Sequence, residues 1–213
     1  MTLVVTLTLA VLGFSVALAK GFDPYNGWGL IFTSALPWLG MAGWPVWVTR
    51  RKGNGARIDL GLQLTRDHLR TAVQAGVLCY GVGIIGAWLT TRFYGDFTST
   101  AGEVGARQRG LVLVVFALMA AFLAPVVEEI AFRGLLYTAL CKRGTSAHIA
   151  SLVSALAFAG IHAEPARLVI LVALGLVLGE VRRRTGSTAA AIVTHVMNNI
   201  PAAVVLLVGP LTG

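Results

Sequence analysis

Apolar residues run in long unbroken stretches along this chain, and polar residues gather in short clusters between them. Half-buried strands would alternate apolar and polar positions, whereas continuous stretches of about 20 apolar residues have the length of bilayer-crossing helices. Seven such segments stand at about 2–19, 27–48, 69–91, 110–140, 147–163, 166–181 and 187–209. The pattern predicts an all-α fold, a polytopic transmembrane helical bundle of about seven spans. The fifth and sixth are short enough to be tilted or partly re-entrant. The second contains Pro37 and Pro45, which remove backbone donors and predict a kink. The longest connections, 49–68 and 92–109, are polar and contain glycine.

Composition agrees. Apolar residues make up 56% of the chain and charged residues 12%, against about 25% charged in soluble domains. The mean hydropathy is +0.79. A length of 213 residues leaves room for a single membrane domain, 1–213, with no separate soluble unit. Within it, 1–105 holds N-terminal spans without a recognised motif and 106–210 holds the core helices with candidate chemistry. The net charge of +8 does not point to nucleic acid, because the basic residues are split into small groups flanking apolar runs. Cys79 and Cys141 fall in or beside different segments and give no disulfide framework.

The basic residues also orient the chain. Alternate connections and helix ends hold Arg50, Arg51, Lys52, Arg57, Arg66, Arg70, Lys142, Arg143, Arg182, Arg183 and Arg184, eleven in all. The other set holds five: Lys20, Arg92, Arg107, Arg109 and Arg167. The richer set is expected in the cytoplasm, which puts the N-terminus inside. A second reading of residues 1–19 is a cleaved signal, since Ala17-Leu18-Ala19 resembles a peptidase site. Against it, the stretch before the apolar run has no basic side chain.

Against this background a few polar residues are out of place. Glu128 and Glu129 lie side by side within the fourth segment, with Arg133 the only other charge nearby. His162 closes the fifth, and His195 and Asn199 stand in the seventh. Ionisable groups at bilayer depth persist where they pair, line a wet cavity or do chemistry. At ~1.5 Å rise per residue, Glu128 is ~18 Å from the expected inner face, His162 ~22 Å, His195 ~12 Å and Asn199 ~18 Å. Three helices thus bring polar groups to one layer.

Spacing adds to this. Glu129 and Arg133 are i,i+4 and can pair, while Glu128 points about 100° away around the helix. His195 and Asn199 share a face, as do Phe158 and His162. Pro125, one turn before the glutamates, can bend the helix and make room for water. Each feature alone has an ordinary explanation: a helix-to-helix hydrogen bond for a histidine, a structural ion pair for Glu129–Arg133. Their joint occurrence favours a hydrolytic site. A glutamate or histidine can activate water, and His195 and Asn199 are suitable donors to an oxyanion.

The motifs Glu128-Glu129-Ile130-Ala131-Phe132-Arg133, Phe158-Ala159-Gly160-Ile161-His162 and His195-Val196-Met197-Asn198-Asn199 resemble EExxxR, FxxxH and HxxxN. These are the signatures of the CPBP family, the CAAX-protease and bacteriocin-processing (Abi) membrane proteins. The resemblance covers about 110–200, with the motifs in family order. It implies an all-helical bundle of eight or so helices and intramembrane endopeptidase activity. By match, Glu128 and His162 activate water, His195 and Asn199 hold the oxyanion, and Glu129, Arg133 and Phe158 support them.

No cofactor is favoured. Zinc is the alternative, held by Glu128, His162 and His195, a known kind of catalytic ligand set, although Asn199 is a poor zinc ligand. Neither GxSxG nor HExxH is present. The expected substrate is a membrane-associated protein or peptide, of CAAX or leader type, cut at a site reached from the cytoplasm. The expected setting is the lipid bilayer, as a multi-pass protein of a bacterial plasma membrane. The alternative is a non-catalytic membrane immunity or scaffold protein of the same fold; a transporter is a weaker third reading.

Overall fold

The computed structural model describes residues 1–209; Pro210, the last position of the 106–210 region, lies outside them. Among the described residues the chain is helical and contains no strand. Besides the short turns Ala56–Asp59 and Pro165–Arg167, the helices are α1 (Thr2–Ala19), α2 (27–52), α3 (Arg66–Tyr94), α4 (Thr100–Ala106), α5 (Gly110–Lys142), α6 (Ala147–Ile161), α7 (Leu168–Thr185) and α8 (Thr188–Val208). Four of them, α1, α3, α5 and α8, are long and apolar enough to cross a membrane, and α6 is a shorter apolar helix. Large apolar side chains such as Leu7, Val11, Ile84, Ile85, Trp88 and Val205 are exposed, as on a surface that faces hydrocarbon. The protein is an integral membrane protein.

Helix starts follow local chemistry. Thr65, Ser99, Ser146 and Ser187 each accept a hydrogen bond from a backbone N–H three residues on, at the heads of α3, α4, α6 and α8. α7 ends at Gly186, whose φ of 66° suits glycine at a helix terminus. α6 packs along α7, and α8 packs against both α3 and α5. Close approach of α6 and α7 depends on glycine. A Cβ on Gly175 would sit 3.0 Å from the Cα of Ala155, and one on Gly179 would meet Ser151.

The kink expected from Pro37 and Pro45 takes the form of a wide turn. α2 is Gly27–Trp38, a π segment at Leu39–Gly43, then Trp44–Lys52. Trp44, just before Pro45, donates its N–H to Leu39, five residues back. α5 repeats this: a π segment at Met119–Leu123 precedes Pro125, and Ala124 donates to Met119. A second π segment, Ile130–Leu136, contains Arg133. Such turns leave carbonyls without their usual donor. Other helices use them: Ser154 donates to the Phe132 carbonyl at 3.1 Å, and Arg182 Nε to the Arg133 carbonyl at 3.2 Å.

Candidate active site

The FxxxH spacing has a local cause. His162 follows the last residue of α6, and its own N–H turns to Ala159 at 3.3 Å. The Phe158 carbonyl accepts instead from His162 Nδ1 at 2.7 Å. A carbonyl only accepts, so Nδ1 carries the proton and Nε2 presents a lone pair. The Phe158 ring lies 4.7 Å from the His162 ring, 5.6 Å from that of His195 and 5.7 Å from Phe132, centroid to centroid. The Arg133 guanidinium carbon stands 5.0 Å from its centroid. Phe158 is thus the packing centre shared by both histidines and the arginine.

Glu129 and Arg133 pair as their spacing predicts, at 2.8 Å, with both side chains fully buried. Arg133 also donates through Nη2 to the Gly175 carbonyl at 2.7 Å, tying α5 to α7. The ion pair has a further partner that spacing did not reveal. The same Glu129 oxygen is 3.0 Å from His195 Nδ1. A carboxylate accepting there fixes the proton on Nδ1 and turns Nε2 toward Glu128, whose Oε2 is 3.8 Å away. Glu129 is therefore both counter-ion to Arg133 and positioning group for His195.

Asn199 is held by a defect made in another helix. Pro125 has no N–H to give and Ala124 gives its own to Met119, so the Ala120 carbonyl lacks a backbone donor. Asn199 Nδ2 supplies one at 3.0 Å. Asn198 Nδ2 in turn donates to Asn199 Oδ1 at 3.1 Å. One amide hydrogen of Asn199 is thereby committed, and the other is left for the cavity. Pro201 acts similarly: it cannot donate to the Met197 carbonyl, which accepts from the Tyr80 hydroxyl at 2.7 Å.

Glu128, His162, His195 and Asn199 all line one cavity of about 1030 Å³, together with Cys79 and apolar side chains of α5, α7 and α8. Cys79 and Asn198 were not singled out by sequence. Nothing local marks them, because their place depends on contacts between distant helices. Among the described residues no group of three His, Cys, Asp or Glu side chains could hold a metal ion.

The cavity is lined by residues well beyond the three motifs. Its upper wall reaches Phe97, Thr98, Ser99, Arg109, Glu164 and Arg167. There the head of α4 is latched down: Glu164 accepts from the Thr100 N–H at 2.7 Å and from Arg167 at 2.6 Å. Burial raises the Glu164 pKa, but these donors and the Arg167 charge outweigh it and hold the carboxyl below its ordinary value.

Residues 110–201 match the model of the Rce1-like family, described as type II CAAX prenyl endopeptidase Rce1-like. The match spans α5 to most of α8 and contains all three motifs. No curated protein and no solved structure matches the chain.

Proposed function

We propose that this membrane protein, Rce1-like over residues 110–201 and so in a peptidase family through that segment, is an intramembrane endopeptidase working by carboxylate- and histidine-activated water. The observation that carries the reading is the convergence of Glu128, His162, His195 and Asn199 on one cavity above a buried Glu129–Arg133 pair. Glu128 takes a proton from water as its oxygen attacks the peptide carbonyl. His162 Nε2, free because Nδ1 is tied to Phe158, orients that water. The spare amide hydrogen of Asn199 faces the developing oxyanion, joined by His195 when both its ring nitrogens carry protons. The proton held on Glu128 then passes to the leaving amine as the C–N bond breaks.

The substrate is a membrane-associated protein or peptide. Comparing peptide termini in membrane fractions of cells making wild type or Glu128→Gln tests the reading. Termini present only with wild type support it. Identical termini favour the non-catalytic immunity or scaffold alternative.

Asn199→Ala is expected to retain activity at a rate reduced about a hundredfold or more, the usual cost of one oxyanion donor. It also strands the Ala120 carbonyl, so thermal stability falls with it. Single-turnover cleavage and an unfolding scan on the same preparation separate the two losses.

The proposed chemistry uses no cation. Chelators are expected to leave cleavage intact. Loss on chelation with recovery on zinc addition would instead assign water activation to a metal.

A further inference from the structure

We infer that Arg182 is a positioning residue for the proposed cleavage, fixing the register of the wide turn Ile130–Leu136 and, through Arg133 and Glu129, the aim of His195. The inference rests on the peptidase reading only for what is aimed. Arg182, Arg183 and Arg184 stand together in the last turn of α7, but they do not behave alike. Arg183 and Arg184 both pair with Glu180, at 2.7 and 2.5 Å. Arg182 makes no ion pair among the described residues and turns inward instead. Its Nε donates to the Arg133 carbonyl at 3.2 Å and its Nη2 to the Thr138 hydroxyl at 3.2 Å. Its guanidinium carbon stands 5.3 Å from the centroid of the Tyr137 ring. Gly61 closes the niche: a Cβ there would come within 3.1 Å of Nη2.

These bonds go where the wide turn needs them. In a regular helix the Tyr137 N–H would serve the Arg133 carbonyl; here it reaches back five residues to Phe132. Arg182 Nε takes its place at the Arg133 carbonyl, with the Thr138 hydroxyl at 3.4 Å. A buried carbonyl without a donor is costly, so Arg182 stabilises the turn at this position. Without it, the cheapest repair hands the Tyr137 N–H back to Arg133. The extra residue then shifts along α5, and side chains between the old and the new turn rotate by about 100°. The same helix holds the other end of Arg133. Its Nη2 donates to the carbonyl of Gly175, two helical turns before Arg182 and on the same face of α7. α7 thus grips Arg133 at backbone and guanidinium together. The guanidinium is delivered to Glu129 at 2.8 Å, and the same Glu129 oxygen meets His195 Nδ1 at 3.0 Å. Arg182 does not line the cavity, so it aims the site without touching substrate. A lysine would carry the charge without the planar fork that meets both acceptors.

Two measurements on the same variants test this. Arg182→Ala, Arg182→Lys and Thr138→Val are purified beside wild type, and kcat, KM and the unfolding midpoint are determined on folded protein. For Arg182→Ala kcat is expected to fall about ten- to a hundredfold, and less for the other two, with KM within about twofold of wild type. The second measurement is an NMR spectrum of protein labelled with heavy-nitrogen arginine. The Arg133 side-chain signals are those missing from the Glu129→Gln, Arg133→Met double variant. They are expected to move in all three test variants. Arg133 signals that stay where they are in wild type overturn the inference, whatever happens to the midpoint, because Arg182 is then a plain staple. Signals that move with kcat unchanged overturn it as well. Should the Arg182 variants fail to fold, Thr138→Val, which keeps the side chain's shape, decides on the same two readouts. Peptide termini identical between wild type and Glu128→Gln would end the peptidase reading instead, and the Arg133 signals alone would then decide whether Arg182 sets the turn.

Discussion

Glu128→Gln is expected to abolish measurable cleavage while leaving the protein folded. The amide keeps the shape of the carboxylate but cannot accept a proton from water, and a positioned general base typically contributes about 10²–10⁴-fold. Folding should survive because Glu128 lines the cavity and lacks the buried ion pair that Glu129 makes. His162→Ala is expected to match it, since Nε2 is the second group at the water and removal also frees the Phe158 carbonyl. Cleavage measured on purified protein, beside its unfolding midpoint, checks both. Full activity in Glu128→Gln would end the assignment of Glu128 as the general base.

The second large effect is structural. Glu129→Gln leaves the fully buried Arg133 without its carboxylate, and breaking one side of a buried pair costs about 3–5 kcal/mol. Yield and thermal midpoint should both drop. The double substitution Glu129→Gln with Arg133→Met removes both charges and is expected to recover much of the lost stability. It should not recover full activity, because an amide in place of the Glu129 carboxylate accepts more weakly from His195 Nδ1 and, turned about, presents its NH2 there instead. Recovery of both would reduce Glu129 to a purely structural role.

The helical class and the membrane setting were legible in the chain because bilayer hydrocarbon imposes its length scale directly on composition. The site was legible as far as single helices carry it: Glu129 with Arg133, and Phe158 with His162, each one turn apart. What joins helices was not. The Glu129–His195 and Asn199–Ala120 contacts span 66 and 79 residues of sequence, and no periodicity encodes them. Even so, Pro125 and Pro201 were visible signals that the Ala120 and Met197 carbonyls would need donors from elsewhere.

The wide turns of α5 set the angular phase of the site. An α-helix advances about 100° per residue, so each turn that absorbs one extra residue rotates everything beyond it by about that much. A helical wheel drawn straight from Gly110 to Lys142 therefore misplaces Glu128 relative to the lipid-facing side of Leu111 and Val114. The segment Met119–Leu123 works as an indexing notch: what it fixes is azimuth, and with it which of two adjacent glutamates meets water and which is sealed against Arg133. Deleting one residue there, with every motif left intact, would exchange those fates. In this chain the spacing between Leu111 and Glu128 is as much a part of the active site as the glutamate itself.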